Sequence, residues 1–564
     1  MANLSQGQAS DLRESEPLLE SNGSGSSRND DRALEDSEDI PSKHPQISRL
    51  AFIIAPALLF GCFNTAFDLS FLMTNYIRIA SNLNSLKDAV WIVLTGSISF
   101  AAFQPLYGHF SNLYGREHAI LFAFSAYGLG VLLCGFSVRL WQLSFSRIIV
   151  NLGSSGTSLL TIVIINDLVS LTDIALWQSA VTCVETVALM AGGPLGSTIS
   201  KALNWHWVFR FEVISIAVAT VFLYFSFRLV RNRPNGAGAP GLPAAIHPTF
   251  SQLDVTGGIF LVACIAVPLF ALTLGDNVMP WNHPAEITLL VATPLLIGAF
   301  IYFETKFPKR PIIPVKHLKD LSVVKVLVCV FGVVFSFNAI LFNLPLYIEI
   351  RAFDGSAFHD WALTCVYLGQ PAGAVFGGWV IRKRRQVKDL MIINAAFTEL
   401  LYILYATGAM KPELVGYSPF LVALGFCTGV WQSCLLVALL AVIERKYQPQ
   451  MIAIYDLTLT LGGDLVIAIS SSMARSLFKT KTRHQLGESP DTEKIIREAL
   501  QNLGNLREYS LEIQEIVLKC FESAVRSTFV LPCVMMGLVL LAVASMERVD
   551  SALESHTPTR REDD

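Results

Sequence analysis

The sequence predicts an all-α polytopic membrane protein, on three observations. Hydrophobic residues make up 52% of the 564 residues and charged residues only 15%, against about 25% charged in soluble globular chains. Mean hydropathy is +0.50, and apolar runs of about 20 residues, each long enough to cross ~30 Å of hydrocarbon as a helix, recur from Ala51 onward. A formal net charge of −3 gives a nucleic-acid partner no electrostatic support. The ten cysteines, among them Cys62, Cys134, Cys183, Cys264 and Cys329, fall mostly inside apolar runs and read as small buried hydrophobes, not as a disulfide framework or a zinc site.

Residues 1–50 differ from the rest. They are rich in Ser, Asn, Gly, Asp and Glu, with ten acids against five bases, a composition that cannot bury a core and predicts a disordered cytosolic tail. No apolar h-region follows Met1, so the first span is expected to direct insertion itself.

The spans are predicted at 51–73, 88–109, 118–137, 141–166, 175–200, 207–229, 255–275, 286–303, 323–345, 360–381, 389–409, 417–443, 451–475 and 524–546, which makes 14 transmembrane helices. The second and tenth are the most interrupted by Gly and Pro. Short cytosolic loops collect Lys and Arg. With the N-terminus inside, those loops hold Arg228, Arg231 and Arg233; Lys306, Lys309, Arg310, Lys316 and Lys319; Arg382, Lys383, Arg384, Arg385 and Lys388; and Arg445 and Lys446. Between them, loop 276–285 has no base, 346–359 only Arg351 and 410–416 only Lys411. The predicted topology is N-in and C-in. The non-cytosolic segment 476–522 is long and mixed in charge, with a helical pattern at Ile495, Ile496, Leu500, Leu503 and Leu506. It reads as an amphipathic helix on the lumenal face or as a gating lid.

The loop after span two, from Gly108 to Gly115 and Arg116, and the end of span ten, from Gly377 to Arg385, both set small residues in a helix end before bases at the interface. Such repetition at matching places in two six-helix halves is what a duplicated transporter shows. The expected domains are a tail at 1–50, an N-terminal half at 51–230, a linker with two inserted helices at 231–320, a C-terminal half at 321–546 with the lumenal loop 476–522, and a cytosolic tail at 547–564.

Several motifs carry a resemblance. They are Ala66-Phe67-Asp68 in span one, Ala102-Phe103-Gln104-Pro105-Leu106-Tyr107-Gly108 in span two, and Gly115-Arg116 after it. Arg147 with Gly153 and Gly156 follows in span four, then Asp167-Leu168-Val169-Ser170-Leu171, Trp177-Gln178, Gly192-Gly193-Pro194-Leu195-Gly196 in span five, and Trp205-His206-Trp207-Val208-Phe209. With these, the chain resembles the fourteen-spanner drug:proton antiporter branch of the major facilitator superfamily, and within it the fungal vacuolar basic amino acid transporters. The resemblance covers most of 51–475 and implies the major facilitator fold with helices grouped as six, two and six. Departures are Asn112 and Glu117, where the family's loop motif has an acid and a base, Thr172-Asp173-Ile174-Ala175 in place of a basic stretch, and Ser197 for a glycine. Because the missing acid helps latch the two halves on the cytosolic side, Asn112 predicts a weaker latch and a more populated inward-facing state.

Charges inside apolar spans cost roughly 2.5–3.5 kcal/mol each on insertion scales and so point to function. The candidates for proton coupling or substrate are Asp68, Arg147, Glu185 and Asp464. Asp68 is a lone carboxyl of span one at a family position, either a proton carrier or a structural hydrogen-bonding group. Arg147 resembles an arginine that the superfamily associates with proton transfer. Since arginine does not release its proton, it would hold a nearby carboxylate ionised, face an anionic group, or anchor packing. Glu185 in span five and Asp464 after Gly462-Gly463 in span thirteen would face one cavity from opposite halves and attract a cation, or serve as ordinary polar contacts. Gly108, Gly115, Arg116, Gly192, Gly193, Pro194 and Gly196 are the expected conformational elements, because glycine permits close approach and proline removes a backbone hydrogen bond. Gln104, Asn338, Asn343 and Gln370 are further candidate substrate contacts.

No enzyme constellation, metal spacing or Walker-type loop appears in the sequence, so no cofactor is expected and the energy source is a gradient, with protons suiting the buried carboxyls. Expected partners are a small-molecule substrate, protons, the lipid bilayer and sorting adaptors, for a monomeric chain. The adaptors would read Glu14-Ser15-Glu16-Pro17-Leu18-Leu19, an acidic dileucine signal in the tail. The functional expectation is a proton-coupled transporter of basic amino acids or similar cations at the vacuolar membrane. The alternatives are a drug or toxin exporter at the plasma membrane and a non-transporting nutrient sensor.

Overall fold

In hydrocarbon no water takes up backbone N–H and C=O groups, so an apolar run must close its hydrogen bonds within itself. Every run found in the sequence is helical over its described residues. The computed structural model describes residues 45–85, 90–169, 171–231, 255–274, 283–306, 317–351, 359–384, 386–407, 418–444, 447–501, 506 and 509–546. Among them the chain forms α1 (Pro45–Asn82), α2 (Val90–Tyr114), α3 (Arg116–Cys134), α4 (Leu140–Leu168), α5 (Leu171–Ala202), α6 (Trp205–Arg231), α7 (Val255–Leu274) and α8 (Pro284–Lys306). There follow α9 (Leu321–Arg351), α10 (His359–Arg384), α11 (Val387–Thr407), α12 (Ser418–Val442), α13 (Gln448–Leu486), α14 (Pro490–Gln501), α15 (Leu511–Thr528) and α16 (Val530–Ala544).

Eleven described helices are long and apolar enough to cross a membrane, α15 and α16 forming one continuous apolar segment Leu511–Ala544. Helices α2 and α10 are not among the eleven, and α7 contributes only the shorter apolar stretch Gly257–Ala271. Both α2 and α10 carry a polar or glycine-rich face turned to other helices, α10 also exposing Leu368, Val375, Phe376 and Trp379 on its other side. On α2 the polar Gln104, His109 and Ser111 are buried along with Ala101, Ala102 and Tyr107. On α10, Gly369 and Gly373 lie against the backbone of Val422 and Phe426, while Gly425 and Gly429 of α12 lie against that of Val366 and Gln370. Small residues let two backbones meet where lipid-facing bulk is not needed. Helix α8 is the opposite case, with Leu290, Val291, Leu295, Ile297 and Ile301 all exposed, as befits a lipid-facing surface.

The packing repeats. Helix α1 lies on α5 and α6, α2 on α4, and α3 on α6; likewise α9 lies on α13 and α16, α10 on α12, and α11 on α16. The inserted pair α7–α8 packs together, with α7 set against α2 through a cluster of Ile98, Ala101, Ala102, Leu261, Ile265 and Leu269.

Several boundaries differ from expectation: α1 runs past 73 to Asn82, and the last apolar segment begins at Leu511 and not at 524, so that α15 takes up part of the expected loop 476–522. Span thirteen was to end at 475, yet α13 runs on to Leu486. Arg475, Lys479, Lys481 and Arg483 end the apolar run, but no Gly or Pro stops the helix until Gly487, whose φ of 81° is the left-handed region glycine tolerates. The extension stays amphipathic, and the rings of Phe478 and Phe521 of α15 lie 4.5 Å apart. The helix expected around Ile495 is α14, which buries Ile495, Ile496 and Ala499. Arg483 Nε reaches Glu493 Oε1 at 2.6 Å and ties α14 to the end of α13, and this contact holds the Glu493 carboxyl below its ordinary range.

Candidate functional site

The first constellation joins four helices. Asp68 on α1 and Arg147 on α4 are 3% and 2% exposed. Arg147 Nη1 lies 2.9 Å from Asp68 Oδ1 and 2.8 Å from Oδ2. Asp68, the one carboxyl of α1, is the nearby carboxylate that Arg147 holds. Breaking a buried pair by removing one partner typically costs about 3–5 kcal/mol, since it strands a buried charge. Beside the pair sits Glu212 of α6, buried, with Oε1 accepting a 2.7 Å hydrogen bond from the hydroxyl of Tyr127 on α3. Glu212 interacts electrostatically with both Asp68 and Arg147. Its Oε2 and the Arg147 Nε are buried without hydrogen-bond partners among the described residues. The site therefore holds two acids and one base in a dry environment, where an unpaired charge is costly.

The second constellation spans the two packing sets. Glu185 of α5 interacts electrostatically with Asp456 of α13, and both act on the buried Cys62 of α1. Asp464 stands two helical turns beyond Asp456 on α13 and is not brought to Glu185 by any described interaction; its Oδ2 is buried without a partner among the described residues. The cross-set acid on which the charge of Glu185 acts is Asp456. Of the other polar candidates, Gln104 Oε1 accepts from Thr460 Oγ1 of α13 at 3.3 Å. Asn338 and Asn343 donate to Val334 and Ala339 of their own helix. Gln370 is buried on α10 against Gly429.

The third constellation closes one end. Gly115, with φ 81°, separates α2 from α3. Arg116 follows and is buried, its Nε 2.8 Å from Asp167 Oδ2 at the end of α4 and its Nη1 donating to Ser111 Oγ at 3.0 Å and Asn112 Oδ1 at 2.8 Å. Asn112 thus accepts where the family's acid would, while Asp167 supplies the charge. Across the sets, Gly108 packs on Pro449 and Ala453 of α13, and Asn166 donates to Gln448 at 2.7 Å. Ser179 donates to the Ala374 carbonyl at 2.6 Å, Thr182 to Gln432 at 3.0 Å, and Arg382 pairs with Asp173 at 3.2 Å on the exposed rim. All of these lie toward the end that the charge pattern assigns to the cytosol. In this conformation that end is closed, with Asn112 among the acceptors of Arg116.

The fourth is the α1–α5 seam. A side chain on Gly192 would meet the Phe67 carbonyl at 2.5 Å, one on Gly193 would meet Thr74 Oγ1 at 2.8 Å, and Gly196 faces the Phe71 ring. Pro194 lies inside α5, on its exposed side.

Glu212 and Asp456 were missed from sequence. Each lies within two turns of its helix start, where an acid reads as interfacial; their burial, which the sequence does not display, is what marks them. Glu14, Leu18 and Leu19, the tail 547–564, and several loop bases including Arg233, Lys309, Arg385 and Arg445 lie outside the described residues.

Two sets of helices packed in the same pattern, closed on each other at one end and burying charges between them, define a polytopic membrane transport protein. The Major Facilitator Superfamily profile matches residues 58–466, and the chain belongs to that family; it is a transporter-family protein and not an enzyme. Relatives include "Multidrug resistance protein fnx1" of Schizosaccharomyces pombe, 26% identical over 87% of this chain and 92% of its own length. "Vacuolar membrane amino acid uptake transporter fnx2" of the same organism is 26% identical over 84% and 81%. "Vacuolar basic amino acid transporter 2" of Saccharomyces cerevisiae is 26% identical over 80% and 96%. Among solved structures, the proton:xylose symporter XylE superposes with a TM-score of 0.56 at 13% identity, covering 90% of this chain and 99% of its own, which shows the fold.

Proposed function

We propose that this chain is a proton-coupled secondary transporter that moves basic amino acids or similar small cations across the vacuolar membrane by alternating access. The observation that carries this reading is the presence of two acids, Glu185 and Asp456, one on each packing set, near enough for the charge of one to act on the other and for both to act on Cys62. Two acids that act on each other's charge repel, and the repulsion would be relieved by a proton or by a cationic substrate. Exchange of one for the other is antiport. The Asp68–Arg147 pair, with Glu212 beside it, is a second buried charge site through which protonation would tilt α1 against α4.

The names of the relatives support both the substrate class and the vacuolar address. Fourteen spans, N-in and C-in, follow if α2, α7 and α10 cross the membrane with the eleven apolar helices, and the recurring packing pattern supports two six-helix halves around α7–α8. The closed end would then be cytosolic. The acidic dileucine Glu14, Leu18 and Leu19 would direct the chain to the vacuole through sorting adaptors.

A second reading, drug export at the plasma membrane, is favoured by the similarity to multidrug resistance proteins of Schizosaccharomyces pombe and Bacillus subtilis. Uptake of labelled lysine and arginine into purified vacuoles separates the two. The proposed function requires uptake that collapses when the proton gradient is dissipated, and lysine-independent drug efflux from whole cells would favour the exporter.

A further inference from the structure

The Ser70 hydroxyl of α1 donates to the Leu189 carbonyl at 2.6 Å and accepts from the Gly193 N–H at 3.1 Å. Leu189 and Gly193 stand four residues apart on α5, the spacing of a backbone donor–acceptor pair in an α-helix. One side chain from a neighbouring helix therefore serves both members of one rung of α5. The next residue is Pro194, which offers no N–H and crowds the carbonyl of Met190. The α5 ladder is thus weakest where Ser70 enters it.

Entry is possible because there is no side chain on Gly192, where a Cβ would come within 2.8 Å of Ser70 Cβ. One turn further, Asn75 Nδ2 donates to Ser197 Oγ at 3.1 Å, so α1 also grips α5 beyond the proline. Inside hydrocarbon, a backbone pair that opens must find another partner at once, and serine hydroxyls are among the groups that re-satisfy kinked helices. Ser70 and Asp68 are two residues apart on α1 and so project to nearly opposite sides of the helix, Asp68 meeting α4 and Ser70 meeting α5. Glu185 lies one turn before Leu189 on α5.

We infer that Ser70 is a positioning residue of the transport cycle. It keeps the Leu189–Gly193 rung satisfied while α5 bends at Pro194, and it transmits movement of α1 at the Asp68–Arg147 site to α5 and thence to Glu185. Only a group that both donates and accepts fills this role, which serine does and alanine does not. The inference rests on the reading of Asp68 and Glu185 given above.

The test uses the full-length protein in liposomes carrying a pH gradient, with labelled lysine as probe. Ser70→Ala is expected to lower the maximal uptake rate about tenfold, the order that loss of one hydrogen bond produces, with KM unchanged. Amide exchange of peptides covering 189–196 should rise by a similar factor while peptides of α4 and α13 stay as in wild type. Ser70→Cys, nearly isosteric and a weak hydrogen-bond former, should fall between, and it is read in the same way if the alanine variant does not assemble. Wild-type rates in both variants, or unchanged exchange at 189–196, would overturn the inference. The exchange readout needs no substrate, so it decides the role of Ser70 even if lysine proves not to be carried.

Discussion

Arg147 holds Asp68 through a single nitrogen, Nη1, set 2.8 and 2.9 Å from the two carboxylate oxygens, while its Nε is buried without a partner among the described residues. The guanidinium is therefore only partly satisfied, and the pair is balanced in charge without being saturated in hydrogen bonds. Glu212 is within electrostatic reach of both members of the pair.

Asp68→Asn is expected to leave Arg147 uncompensated, costing about 3–5 kcal/mol and lowering the melting temperature. The protein should still reach its membrane but lose gradient-driven uptake. Adding Arg147→Gln should recover stability without recovering uptake, as measured by thermal unfolding in detergent alongside vacuolar transport. Full proton-coupled transport by Asp68→Asn would show that the coupling proton travels elsewhere.

Tyr127 supplies the one described hydrogen bond of Glu212. Tyr127→Phe should cost about 1–3 kcal/mol, the desolvation penalty of a carboxyl oxygen left bare. Glu212→Gln retains an acceptor oxygen for Tyr127 and should keep most of the stability while losing the response of uptake to the pH gradient. Unfolding curves and uptake across imposed gradients separate the two effects.

At the closed end, Asp167 carries the charge that pairs with Arg116, with Asn112 as a neutral acceptor. Asp167→Asn should open that end, and Asn112→Asp should tighten it. The reporter is a cysteine at Ser433, which sits 3.5 Å from Ser179 in the contact between the sets. Its labelling from the cytosolic side should rise in the first variant and fall in the second. Unchanged labelling in both would place the latch in the Asn166–Gln448 and Ser179–Ala374 contacts instead.

The fold was legible because hydrocarbon leaves so few options: apolar length alone located α3, α6 and α11 closely. It failed where polarity and helicity part company. At residue 475 the charges begin but the helix does not stop, so α13 was drawn short. At α2 and α10 the helix is there, but its polar and glycine-rich faces meet other helices. The site was legible where a family motif singled out a residue, as at Asp68, Arg147 and Arg116. Partnerships were not legible, because they depend on which face of each helix meets which neighbour. Asp464 follows two glycines and stands out in the sequence, while Asp456, two turns earlier and near the start of α13, is the acid on which the charge of Glu185 acts.

The most direct measurement on Glu185 and Asp456 is proton movement in liposomes containing the full-length protein and a pH-sensitive dye. With an acidic lumen, addition of lysine or arginine outside should trigger proton efflux with the wild type. Glu185→Gln and Asp456→Asn should each raise the lysine concentration for half-maximal efflux by about tenfold or more, the effect of losing ~1.4 kcal/mol of cation attraction, and the double variant should be no worse than the poorer single one. Proton efflux that ignores both substitutions, or that lysine and arginine never trigger, would contradict the account.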